Sequence, residues 1–191
     1  MSRTFQFTKQ HVANRGVAPD SFLNELVDWG RVADPLIFSP NLVSDIYSSI
    51  KYVLAPSGWE GPEHRRSAML EAMRVLGGFE SSWDWTEGRD TSNATSVTPY
   101  TIEAGLWQVS ANAMYFGQDL KNLVLAHVGT LDGDAFQMAM KHDHPLSMEF
   151  IARLLRHTTA HNGPVRRHEI DPWLRRDSVK EFQSMITTYT A

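Results

Sequence analysis

The amino-acid sequence predicts a mainly α fold with a small hairpin or irregular insert. Two observations carry this expectation. Apolar residues recur at three- and four-residue spacing through most of the chain, the period of a helix face packed on a core. One polar stretch, TEGRDTSNATSVTPYT from Thr86 to Thr101, breaks that rhythm and reads as loop or a short hairpin. No internal repeat or low-complexity segment competes with this reading.

Taken in order, Asp20 stands where it can cap a helix carrying Phe22, Leu23, Leu26 and Val27. Ser39-Pro40-Asn41 then opens a second, with Leu42, Val43, Ile46, Tyr47, Ile50, Val53 and Leu54 at helical spacing. Pro56 to Pro62 (PSGWEGP) is a break. It divides an N-terminal helical extension, residues 1–60, from a second unit, residues 61–191. A long helix follows from about Glu63 to Glu80, burying Met69, Leu70, Met73, Leu76 and Phe79. Gly77 and Gly78 lie near its end, where each lowers helix propensity by roughly 1 kcal/mol relative to Ala. Either another group approaches closely there, or the helix end simply frays. Four further helices are expected at about 119–128, 132–142, 145–160 and 178–188. Pro145 suits a first turn, and Ser178 with Glu181 has the spacing of a capping box.

Composition narrows the function. The chain of 191 residues is 42% hydrophobic, enough for a buried core, and its net charge of −4 shows no basic excess. No nucleic-acid partner is therefore expected. Arg166, Arg167, Arg175 and Arg176 gather near one another and read as solvated surface. The absence of cysteine removes disulfides, thiolate metal sites and cysteine nucleophiles together. No run approaches the roughly 18 apolar residues of a membrane span, so none is expected. Met1 to Phe7 carries no apolar stretch of the signal-peptide kind.

Three segments carry candidate chemistry: Gly78-Phe79-Glu80-Ser81-Ser82-Trp83, Glu103-Ala104-Gly105-Leu106-Trp107-Gln108-Val109-Ser110, and Ala160-His161-Asn162-Gly163-Pro164-Val165. Glu80 ends an amphipathic helix beside Phe79 and Trp83. A carboxyl at an apolar wall is desolvated, which raises its pKa and lets it donate a proton near neutral pH. Gln108 and Asn162 carry amides that both donate and accept, as sugar recognition requires. Trp83, Trp85, Trp107 and Tyr100 offer aromatic faces, although tryptophan more often packs in a core.

The order Glu-Ser-x-aromatic, polar loop, Gly-Leu-x-Gln-hydrophobic, Ala-His-Asn-Gly-Pro resembles the lysozyme-like superfamily, in particular lytic transglycosylases and goose-type lysozymes. The resemblance covers roughly residues 65 to 175. It implies a lysozyme-like α+β domain with extra N-terminal helices. It also implies a cleft for peptidoglycan, Glu80 as general acid, and Ser81, Trp83, Tyr100, Gln108, His161 and Asn162 around the sugar. The chain departs from the family pattern in four places. His161 replaces the motif tyrosine, and the spacing after Asn162 is one residue short. The loop from Glu80 to Gly105 is long, and Ser110 stands where goose-type enzymes have an acidic residue.

Retaining glycosidases place a second carboxylate about 5–5.5 Å from the first, and inverting ones about 6.5–9.5 Å. Asp84, Asp90 and Glu103 are the candidates, in the preference Glu103, then Asp90. Lytic transglycosylases instead use one acid and the muramic acid's own hydroxyl. The resemblance requires no cofactor or metal. A rival metal reading rests on His157 and His161, four apart on an expected helix, but lacks the glutamate of the H-E-x-x-H pattern. A second rival is a lysozyme-like module that binds glycan without cutting it. The expected site of action is the bacterial cell wall or periplasm. A specialised secretion route is the expected means of delivery, and an immunity or inhibitor protein an expected partner.

Overall fold

The computed structural model describes residues 3–187. The protein is mainly helical. Helix α1 spans Asp20–Val32, α2 Ile46–Leu54, α3 Pro62–Ser81, α4 Gln118–Val128, α5 Gly133–His142, α6 His144–His157, α7 Gly163–Arg166 and α8 Arg176–Thr187. Short 3-10 turns lie at Pro35–Phe38, Ala111–Phe116 and Asp171–Trp173. Two antiparallel strands, β1 (Glu103–Ala104) and β2 (Val109–Ser110), pair Glu103 with Ser110 and Ala104 with Val109. No helix among the described residues is long and apolar enough to cross a membrane.

Helix α3 is the axis of the fold. Pro62 stands in its first turn, where a missing N–H is harmless. Every residue from Ser67 to Gly78 is buried, because α1, α2, α6, α7 and α8 all pack on it. A helix apolar on one face alone could not be enclosed this way. Here Glu71 and Arg74 satisfy each other inside the core. Residues before and after position 60 feed the same hydrophobic cluster, which runs from Val12 to Ile186. Phe22 of α1 packs on Trp85 and Trp107, with ring centroids 6.1 and 6.2 Å away.

Several local expectations are corrected. The second helix begins at Ile46, not at Asn41. Asp45 is its cap, accepting from the N–H groups of Tyr47 and Ser48, while Leu42 and Val43 are exposed. Asp45 outcompetes the earlier Ser-Pro-Asn because its carboxylate satisfies two orphan donors of the first turn. Asp20 lies inside α1 after Pro19 and makes no cap; it pairs with Lys9 at 2.8 Å. Helix α6 stops at His157, where Thr158 turns extended, so His157 and His161 share no helix.

Helix α8 starts at Arg176, two residues before Ser178, and the expected residue 188 lies outside the described residues. Ser178 and Glu181 form no capping box. The Ser178 hydroxyl donates to the carbonyl of Phe7 (2.9 Å). The Glu181 carboxylate accepts from the backbone of Gln6, Phe7 and Thr8 at 2.7, 3.1 and 2.7 Å. These bonds strap the N-terminal segment along α8.

Candidate active site

Glu80 is presented by a helix end locked from three sides. Helix α3 terminates with Ser82 and Trp83 in left-handed conformation, φ 56° and 64°. Left-handed backbone in a bulky non-glycine residue is strained and persists only where packing enforces it. The turn folds Trp83 back against its own helix, where its indole N–H donates to the Arg74 carbonyl at 2.9 Å. The two glycines make this possible. A methyl group at Gly77 would lie 2.5 Å from Leu106, and one at Gly78 would lie 2.7 Å from the Trp83 ring. Close approach, not fraying, accounts for both. The buried Ser81 hydroxyl donates to the Leu106 carbonyl at 2.8 Å and ties the helix end to the hairpin.

The hairpin supplies the next wall. Gly105 has φ +73°, and an added Cβ would meet the Met140 carbonyl oxygen at 2.5 Å, so only glycine makes this turn. Trp107 is buried, and its indole N–H donates to the Met73 carbonyl at 3.0 Å. Gln108 has φ 47°, and its amide donates to the Gly105 carbonyl at 3.0 Å.

A cleft of about 710 Å³ opens here. Of the residues singled out in the sequence, Glu80, Asp90, Glu103, Gln108, His161 and Asn162 line it. Ser81 and Trp83 do not. Both are buried and position Glu80 from behind. Tyr100 also lies outside the cleft; it is exposed, and its carbonyl accepts from the Asn112 N–H.

The electrostatics separate the carboxylates. Burial pushes Glu80 up to about 7; the positive charges of Arg167 and Arg15 oppose the shift, and the negative charges of Glu103 and Glu169 add to it. Asp90 is held below its ordinary value, because the Ser92 hydroxyl (2.6 Å) and backbone N–H (2.8 Å) donate to it. Its carboxylate is committed to its own loop. Glu103 is different. One oxygen accepts from the Asn93 amide at 2.6 Å, while the other is buried with no protein partner. Asn162 is 3% exposed, and its side-chain oxygen is likewise buried without a partner. Asn162 occupies the N-cap position of α7, but its side chain makes no capping bond. A buried polar atom left unpaired costs about 1–3 kcal/mol, which a ligand bound in the cleft would recover. Burial holds His161 below its ordinary value, favouring the neutral ring, against the opposing charge of Glu103.

Sequence reading missed Arg167 and Arg15. By sequence Arg167 reads as solvated surface charge. It does reach solvent and pairs with Glu169 at 2.7 Å, but it also lines the cleft. Arg15 precedes α1 in a turn whose Val12 packs near Gly78. Nothing in the local pattern around Arg15 links it to a helix end 65 residues away.

His157 pairs with Asp119 at 2.7 Å, whereas His161 lies edge-on to Phe116. No group of three or more His, Asp or Glu able to hold a metal occurs among the described residues. Comparison of the chain with protein-family models, with curated proteins and with solved structures returned no match.

One consequence of these charges can be measured directly. Arg167→Ala removes the largest opposing charge, so the Glu80 pKa should rise further. A carbon-detected NMR titration of the Glu80 carboxyl would read this. A fall, or no change, would mean that Arg167 does not act on Glu80.

Proposed function

We propose that this protein cleaves the glycan strands of bacterial peptidoglycan. It would act as a muramidase on the β-1,4 bond between N-acetylmuramic acid and N-acetylglucosamine, with a lysozyme-like arrangement of the catalytic segments. The observation that carries the reading is a half-buried Glu80, pushed up to about 7, facing a polar cleft shared with Glu103, Gln108, His161 and Asn162.

The chemistry follows from those groups. Protonated Glu80 donates to the glycosidic oxygen, the bond from that oxygen to the anomeric carbon breaks, and its electron pair stays with the leaving sugar. The carboxylate of Glu103, with one oxygen unpartnered, stabilises the positive charge that develops on the sugar ring or takes the proton of an incoming water. Gln108 and Asn162 hold sugar hydroxyl or acetamido groups. Asp90 is the weaker second carboxylate, since Ser92 already occupies it. The unpaired Glu103 oxygen favours hydrolysis over transglycosylation, in which the muramic acid hydroxyl would serve in place of water.

Such an enzyme acts at the cell wall or periplasm. A specialised secretion route into a rival cell would bring it there, and an immunity protein plugging the Glu80 cleft would guard the producer. One experiment tests both reaction and place. Periplasmic expression in a Gram-negative host should lyse it and release muropeptides with reducing ends, read by mass spectrometry. Cytoplasmic expression should be harmless. Anhydromuropeptides would replace hydrolysis by transglycosylation. Equal toxicity in the cytoplasm, or no released muropeptides, would refute the wall as target.

A further inference from the structure

Beyond His161 the cleft wall continues into a second hollow. The same ring that lines the Glu80 cleft also borders a pocket of about 310 Å³, formed with Asn112, Tyr115 and Phe116. Phe116 meets the His161 ring edge-on at 5.8 Å. Both aromatics are unusually open for their type: Tyr115 is 59% and Phe116 48% exposed. They are fixed by the 3-10 turn Ala111–Phe116, which Ala111, Ala113 and Met114 anchor in the core. The Lys121 ammonium lies 4.7 Å from the Tyr115 ring centre and holds that ring from one side.

Asn112 completes the hollow. The Ser110 hydroxyl donates to its side-chain oxygen at 2.7 Å, and its backbone N–H donates to the Tyr100 carbonyl at 2.9 Å. The side chain is thereby oriented, and its NH2 group remains available as a donor.

The geometry points to a second sugar-binding site continuous with the cleft, in which Tyr115, Phe116 and Asn112 hold an N-acetylated hexose of the same strand. It rests on the glycan-cleaving reading of the Glu80 cleft. A pyranose offers an apolar C–H face that packs on an aromatic ring, while its polar rim needs placed donors and acceptors. The acetamido group matches this hollow in particular. Its methyl packs against the Phe116 and His161 rings, and its carbonyl accepts from the Asn112 NH2. Apart from the shared His161 ring, no aromatic side chain among the described residues lines the Glu80 cleft. The second hollow therefore adds binding energy remote from the bond being cut and favours long strands over short fragments.

Calorimetry in the Glu80→Gln background, where oligomers survive, tests this with N-acetylglucosamine trimer, N-acetylglucosamine hexamer and cellohexaose. Phe116→Ala should weaken the hexamer roughly tenfold and leave the trimer almost unchanged. Tyr115→Ala, at a still more exposed position, should act in the same direction. Cellohexaose, which lacks acetamido groups, should bind more weakly and lose less on either substitution. Equal losses for trimer and hexamer, or none for either, would overturn the second site. Equal losses for cellohexaose and the acetylated hexamer would overturn the acetamido assignment. If the wild-type protein releases muropeptides while Phe116→Ala leaves hexamer binding intact, only the second site fails. If no oligomer binds and no muropeptide is released, the catalytic reading fails with it.

Discussion

Glu80→Gln should lower glycan cleavage by a factor on the order of 10²–10⁴ and, at pH 8, make the fold more stable. The loss of activity follows because the amide keeps the shape and cannot give up a proton. The gain in stability follows from the same burial. Glu80 titrates near 7 in the folded protein, above its ordinary value of 4.5, because the cleft wall disfavours the charged form. Between those two values the folded state binds more protons than the unfolded one, so wild-type stability falls as pH rises from 4.5 to 7 and stays reduced above 7. Glutamine never ionises and escapes this loss. A shift of this size corresponds to about 3 kcal/mol when fully buried, and partial exposure of Glu80 reduces it to roughly 1–2 kcal/mol. Thermal unfolding at pH 4 and pH 8 checks the sign: the two proteins should match at pH 4 and diverge at pH 8. A mutant that keeps wild-type turnover would remove Glu80 from the chemistry. A mutant less stable at pH 8 would mean that the carboxylate is held by its neighbours rather than merely tolerated.

The place of Glu80 at a helix end facing the cleft was legible in the sequence because its signals are local. A run of apolar residues at helical spacing, two glycines and an aromatic turn lie within a few residues of Glu80. The helices were legible for the same reason, since a 3.6-residue period needs no knowledge of distant partners. What escaped depends on long-range closure. Ser81 and Trp83 sit in the motif next to Glu80, but their bonds run to Leu106 and Arg74, behind the cleft. Glu181 reads as half of a capping box until the N-terminal segment of residues 6–8 arrives to take its carboxylate. Sequence position ranks Glu103 before Asp90, but their different availability shows only when Ser92 is seen to occupy one and Asn93 only half of the other. In each case the sequence carries the donor and acceptor types, and the partner is chosen by the tertiary fold.

Glu71 is the extreme example, and its removal should have the largest effect on stability. At i, i+3 on a helix, Glu71 and Arg74 look like an ordinary surface pair. Both side chains are instead 0% exposed. The guanidinium donates to the carboxylate through two bonds, 2.7 and 2.8 Å, and also reaches the Gln10 carbonyl at 3.3 Å. The carboxylate accepts from the Arg175 N–H at 2.9 Å, so the pair joins the N-terminal segment and the start of α8 to the central helix. Removing one partner of a buried pair strands the other charge, at a cost of about 3–5 kcal/mol. Glu71→Ala should therefore destabilise the fold by about that amount, measured by urea unfolding. Replacing both residues, as Glu71→Leu with Arg74→Met, should cost less than the single change, because no charge is left stranded. The catalytic consequence is indirect. Arg74 also supplies the carbonyl that holds the Trp83 indole, and Trp83 closes the turn beneath Glu80. Activity per folded molecule should survive in the double variant if the backbone of α3 stays in register. A single Glu71→Ala change that costs under about 1 kcal/mol would show that water reaches the pair at the centre of α3.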